Sequence, residues 1–176
     1  MRAGMETRPY SFAKEGNVMA IAIDKRGNQL LGVVMENEDV VIGDDRYKPL
    51  TTSLVVVKGP RGFMLLKNKY RNEWELAGGV IEPGEHPKQC AMRECFEESG
   101  YTISDLRFAG VIKWRLVPDY FSKENRIEYG TLYCADVKSE IDFKVNEEMS
   151  DICWHTIGNP IENVSELDIK LLEYYL

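Results

Sequence analysis

Residues 77–101 read AGGVIEPGEHPKQCAMRECFEESGY, and this stretch decides both the fold and the chemistry. Its first part is rich in turn residues: Ala77-Gly78-Gly79, then Glu82-Pro83-Gly84-Glu85, where glycine tolerates backbone angles closed to other residues. Its second part has helical character, with Pro87 suited to a first-turn position and Gly100 a natural C-terminal stop. The pattern predicts a helix over about Pro87 to Ser99. At about 100° per residue, Glu94, Glu97 and Glu98 fall on one arc about 100° wide, while Met92, Cys95 and Phe96 point roughly the other way. One face is expected to bind and the other to pack.

Three carboxylates at i, i+3 and i+4 repel one another and destabilise an isolated helix by a few tenths of a kcal/mol per pair. A hard divalent cation reverses that sign. Magnesium prefers oxygen ligands, keeps several waters, and is commonly held by one or two carboxylates together with substrate phosphates. Glu85 ends the glycine-rich loop, and Arg93, always charged and able to make forked bonds, is expected to clamp Glu85 or another carboxylate and fix the loop on the helix. A glutamate-rich helix face is ordinarily just solvated. What distinguishes this one is its spacing: Gly79, five residues, Glu85, seven residues, then Arg93-Glu94 and Glu97-Glu98.

Outward from this stretch, the β-rich runs Val18 to Ile23 and Leu30 to Met35 flank the turn Asp24-Lys25-Arg26-Gly27-Asn28 and predict a hairpin. A polar stretch, Glu36 to Asp39 and then Gly43 to Lys48, separates it from a second hairpin, Ser53 to Val57 through Gly59-Pro60-Arg61-Gly62 into Phe63 to Leu66. The main domain therefore starts near Pro49: residues 49–176 form it, and residues 1–48 are an N-terminal β-hairpin extension. Strand-like runs follow at Leu106 to Ile112, Thr131 to Val137 and Ile152 to Ile157, with a long polar and aromatic loop between the first two. A last helix is expected with Ser165 as its cap, Asp168 three residues on, and Leu167, Leu171 and Tyr174 packing on the core. Together these elements predict an α/β fold with a mixed sheet covered on both faces by helices.

Apolar residues make up 44% and charged residues 29%, as in ordinary soluble globular domains. The longest apolar runs, such as Leu54-Val55-Val56-Val57, are far shorter than the roughly 20 residues of a membrane span. Cys90, Cys95, Cys134 and Cys153 form no C-x-x-C pair and no disulfide framework, which argues against zinc and for a reducing, cytoplasmic location. A net charge of -7 opposes long-range attraction to a nucleic-acid backbone or an anionic membrane. On these grounds no nucleic-acid polymer and no membrane is expected as partner, and a substrate that carries phosphates must be met through cations.

The stretch from Gly79 to Tyr101 resembles the Nudix box, G-x5-E-x7-R-E-U-x-E-E-x-G-U with U apolar, and all its fixed residues are present: Gly79, Glu85, Arg93, Glu94, Glu97, Glu98 and Gly100. Cys95 and Tyr101 stand where aliphatic residues are usual, and Ala77 replaces a frequent proline. The resemblance implies a Nudix-type α/β/α sandwich in which Glu94, Glu97 and Glu98 hold Mg2+ or Mn2+ beside a substrate diphosphate, with Gly78 adding its carbonyl oxygen. It also implies attack of a metal-activated water on phosphorus. Glu94, Glu98, Arg93 and Glu85 are the implied catalytic residues, with Glu147 and Glu148, from a later loop, as candidate bases beside Glu94.

Tyr70-Arg71 before Trp74-Glu75-Leu76 resembles the segment preceding the box in ADP-ribose pyrophosphatases, and the N-terminal hairpin is similar to their dimerising strands, which admits a homodimer. Arg71, together with Trp114, Tyr120, Phe121, Arg115 and Arg126 from the stretch Lys113 to Tyr129, is expected to meet the substrate, by stacking on a base and contacting phosphate. The implied activity is cleavage of ADP-ribose or a related nucleoside diphosphate sugar. The alternatives are a mutator-type hydrolase of ordinary or oxidised nucleoside triphosphates, and a non-catalytic nucleotide-sensing domain.

Overall fold

A computed structural model describes residues 19–120, 122–139 and 141–175. Val18 and the rest of residues 1–18 of the expected extension, and Phe121, lie outside the described residues. In chain order the elements are β1 (Ala22–Ile23), β2 (Gln29–Val34), α1 (Glu38–Gly43), β3 (Leu50–Gly59), β4 (Gly62–Asn68), β5 (Glu73–Glu75), β6 (Ala77–Val80) and α2 (Pro87–Ser99). After them come β7 (Ile103–Leu116), β8 (Arg126–Val137), β9 (Met149–His155) and α3 (Glu166–Leu171), which tightens into a 3-10 turn over Leu172–Tyr174.

The strands form one mixed sheet in the order β1-β2-β7-β8-β3-β4-β5, with β6 paired to β3 and β9 to β4. β3 and β8 run parallel, and the other pairs are antiparallel. Alternation along the central strands sends side chains to two cores. Val56, Leu65, Leu132 and Cys134 face Leu167, Leu171 and Leu172 of the α3 segment. Val55, Val57, Met64, Leu66, Tyr133 and Ala135 face Ala91 and Cys95 of α2. Strands buried on both faces read as continuous apolar runs, which is why Leu54 to Val57 shows no polar alternation. The result is an α/β/α sandwich of the Nudix type.

The first hairpin is joined to the rest of the sheet: β2 pairs with β7, and Leu30 and Val33 are buried in the core beneath α3. The polar stretch after Glu36 holds α1, where Asn37 caps the helix by accepting the Asp39 N–H and Val41 is buried with Tyr47 and Val111. Two expectations need correction. Both ends of the stretch Lys113 to Tyr129 are strand rather than loop, since β7 and β8 stay paired out to Leu116 and Arg126, and only residues 117–125 connect them. Of Met92, Cys95 and Phe96, expected to form the packing face of α2, only Cys95 packs inward; Met92 and Phe96 are exposed, and Cys90, Ala91 and Ser99 take the inner face. Among the described residues no helix is long and apolar enough to cross a membrane.

Leu171 is completely buried among these apolar groups. Leu171→Ala is expected to cost about 2–5 kcal/mol of stability, read as a lowered midpoint in urea denaturation with an unchanged slope.

Candidate active site

Helix α2 is fixed at both ends, and this sets which side chains reach the glycine loop. At its start the His86 Nδ1 accepts the Lys88 N–H at 3.2 Å while Gln89 accepts the His86 N–H at 3.2 Å. Pro87 follows, and its carbonyl accepts the Ser53 hydroxyl from β3 at 2.8 Å. At its end Gly100 adopts a left-handed conformation, φ +74, and donates its N–H to the Phe96 carbonyl at 2.7 Å. Histidine is an uncommon cap, and the sequence pattern did not single it out.

So registered, α2 turns two carboxylates onto Gly78 and Gly79 of β6. Glu98, only 5% exposed, accepts the Gly78 N–H at 3.0 Å. Glu94 lies so close to Gly79 that a Cβ there would displace its carboxylate. Only glycine leaves that space. Glu97 is not brought to the same place: its side chain is 58% exposed and pairs with Arg93 at 3.1 Å. Arg93 forks onto Glu85, at 2.8 and 2.9 Å, and reaches Glu94 at 2.7 Å and the Val80 carbonyl at 3.3 Å. The guanidinium, assisted by the Glu82 N–H, holds the Glu85 carboxyl at about 2. Glu85 and Arg93 therefore tie the loop to the helix, and Glu85 is a poor proton carrier.

A second layer of side chains, which the sequence pattern did not reveal, carries a third carboxylate to this place. Asn146 donates to the Glu98 carbonyl at 2.8 Å and accepts the N–H groups of Glu148 and Met149 at 3.0 and 2.7 Å, pinning its loop to the end of α2. Asn68 donates to Glu148 at 3.1 Å and to the buried Glu75 at 2.7 Å. Arg71 forks onto Glu75, both bonds at 2.8 Å. Burial pushes the Glu98 carboxyl up to about 9, the Gly78 N–H works against this, and the charges of Glu148, Glu75 and Glu94 push the same way as burial. Glu147 and Glu148 are both exposed, and it is Glu148 whose carboxylate Asn68 bonds and whose charge reaches Glu98.

The donor set fits a hard divalent cation. Glu94 and Glu98 present oxygens to one stretch of backbone, and Glu98 is bonded by a backbone N–H and surrounded by carboxylates, an arrangement that a positive ion relieves. Among the described residues no three acidic, histidine or cysteine side chains form a ready-made cage. That suits an ion whose shell is completed by waters and substrate oxygens. Burial pushes the Cys90 and Cys95 thiols up to about 12, so neither supplies a thiolate nucleophile near neutral pH.

The residues expected to meet substrate are dispersed. Arg71 is committed to Glu75. Trp114 is 8% exposed and packed in the α3-side core, so its ring is not free to stack on a base. Arg115, bonded to Gln29 at 3.0 Å, and Arg126, paired with Glu128 and Asp119, line a cavity of about 430 Å³ with Asn125 and Ile127. Tyr120 is 89% exposed.

A family model described as NUDIX domain matches residues 47–175. The RNA pyrophosphohydrolase of Yersinia pestis (strain Pestoides F) is 25% identical over 138 residues, covering 70% of this chain and 78% of its own. A Bacillus subtilis pyrophosphohydrolase structure is similar with a TM-score of 0.58 at 17% identity, covering 85% of this chain and 86% of its own. An ADP-ribose pyrophosphatase from Streptococcus suis reaches a TM-score of 0.54 at 14% identity, covering 70% and 86%. At these identities the structural likeness concerns the fold, and no branch stands out.

The relative named for RNA overturns the exclusion of a nucleic-acid polymer drawn from the net charge of -7. Net charge sums the whole surface, whereas a polymer end is met at one cleft, and repulsion from distant groups is screened within about 10 Å.

The raised Glu98 carboxyl has a consequence for stability. Its folded value, about 9, exceeds its ordinary 4.5, so the folded state binds the proton more tightly and stability is lost as pH rises between the two. In chelator at about pH 8, Glu98→Gln is expected to be more stable than the unsubstituted protein by on the order of 2–4 kcal/mol, with the gap closing toward pH 5 in urea denaturation.

Proposed function

The chain belongs to the NUDIX domain family and is a hydrolase of phosphoanhydride bonds, and on that footing we propose that it cleaves the 5′-diphosphate linkage of a nucleotide-type substrate, an RNA 5′ end included, with Mg2+ or Mn2+. The observation that carries this reading is the convergence of Glu94 and Glu98 on Gly78 and Gly79. These two carboxylates are the residues that hold the cation, and Glu97 stays with Arg93. When bound, a divalent cation neutralises phosphate charge and lowers the pKa of a water.

The chain's own residues do the rest. Arg93, locked to Glu85, keeps the glycine loop against α2 so that the two carboxylates stay in register. Glu148, held by Asn68 across from Glu98, is the group placed to take the proton from the attacking water. Residues 49–176 form the hydrolase domain, with residues 1–48 as its extension.

The name of the Yersinia pestis relative supports an RNA 5′ end over ADP-ribose. The resemblance of Tyr70-Arg71 to ADP-ribose pyrophosphatases loses weight because the Arg71 guanidinium is already spent on Glu75. A panel of 5′-triphosphorylated RNA, nucleoside triphosphates, ADP-ribose and a nucleotide sugar, with products identified, is expected to give RNA the highest kcat/KM. A clear preference for ADP-ribose would move the substrate reading to nucleotide sugars and leave the hydrolysis intact.

Glu98→Gln is expected to lower turnover at least a hundredfold with an unchanged circular dichroism spectrum, and near-normal turnover would refute the assignment. Glu148→Gln is expected to lower kcat at least tenfold, whereas Glu147→Gln stays within about threefold; equal losses would remove Glu148 from its role.

A further inference from the structure

β5 and β6 run on from one another through Leu76, and the C-terminal segment holds the Trp74 and Leu76 part of this extended segment along one edge. The Trp74 N–H donates to the Asn163 carbonyl at 2.7 Å, and the Ser165 N–H returns to the Trp74 carbonyl at 2.8 Å. Trp74 and Val164 form a parallel bridge at that point. The next donor on the same edge, the Leu76 N–H, is taken by a side chain: Asp168 Oδ2 accepts it at 2.9 Å. The one after that, the Gly78 N–H, is taken by Glu98 at 3.0 Å. Alternate residues of a strand direct their N–H groups to one edge. Trp74, Leu76 and Gly78 therefore form a single row of donors, met in turn by a backbone carbonyl, by Asp168 and by the cation-holding Glu98.

Asp168 is available for this task because of how α3 begins. In a Ser-x-x-Asp start the third-position carboxylate would be expected to turn back to the cap N–H. Here Ser165 gives its N–H to Trp74, while its Oγ accepts the Asp168 N–H at 3.3 Å. The Asp168 carboxylate is thereby left to reach across to Leu76. Between Trp74 and Leu76, whose side chains join the core under α3, Glu75 faces the opposite way, into Arg71 and Asn68 beside Glu148.

If Glu94 and Glu98 hold the cation as proposed above, we propose that Asp168 is a positioning residue for the hydrolysis: by holding the Leu76 N–H it sets the strand edge so that the Gly78 N–H meets Glu98 and Glu75 stays in its socket. Burial pushes the Asp168 carboxyl up to about 7. Near neutrality a carboxamide at the same place is therefore a close mimic, and asparagine is the conservative variant.

The test compares Asp168→Ala with Asp168→Asn by three readouts: steady-state kinetics, Mn2+ affinity without substrate by electron paramagnetic resonance, and amide hydrogen exchange at Gly78. For Asp168→Ala the expectation is a kcat at least tenfold lower, KM for the nucleotide within twofold, Mn2+ affinity at least fivefold weaker and Gly78 exchange at least tenfold faster. Asp168→Asn is expected to keep all of these within threefold. Unchanged Mn2+ affinity and Gly78 exchange in a folded Asp168→Ala protein would overturn the proposal. If the alanine chain does not fold, Asp168→Asn decides: retention within threefold supports the proposal, and lost Mn2+ affinity in a folded protein sinks it. Absence of Mn2+ binding in the unsubstituted protein would instead remove the metal reading, and Gly78 exchange would still decide whether Asp168 sets the strand.

Discussion

The structure turns on the approach of two glutamates to two glycines. Glu94 lies against Gly79 where β6 offers bare backbone, since a side chain there would occupy the space of its carboxylate, and Glu98 takes the Gly78 N–H. The contact is unfavourable by itself, since it buries a carboxylate among others. The rest of the fold holds it in place. Ser53 anchors the start of α2, Asn146 grips its last turn, and Arg93 staples the loop.

Charge is arranged around this contact in two rings. Arg93 neutralises the outer carboxylates, Glu85 and Glu97, while touching Glu94. Arg71 neutralises Glu75 from the opposite side. Glu98 and Glu148 are left with amide donors in place of cationic side chains, from Gly78 and Asn68 respectively. A site built this way stays electron-rich at its centre and silent at its rim. Stability is given up locally where function needs a carboxylate buried among others, a common trade in active sites.

Much of this was legible in the residues alone. The limits of α2, the turn at Gly59 to Gly62 and the packing of Leu167 and Leu171 all follow from local pattern, because capping, turn chemistry and periodicity act over a few residues. The fork of Arg93 on Glu85 was legible from chemistry and spacing. What could not be read was long-range: the partnership of Asn68 with Glu148, or of Asp168 with Leu76, joins residues far apart in the chain that no periodicity connects. Trp114 misled for a related reason, since an aromatic beside arginines looks the same whether it lines a loop or, as here, points from a strand into the core. Helix α1 was hidden by its short length and single buried Val41.

The row of donors along Trp74, Leu76 and Gly78 also joins distant parts of the chain. The glycine segment and α2 leave the ribosome well before residues 163–168, which seal two of the three positions. The glycine segment is thus framed from the far end of the chain, and its edge is complete only with that end docked.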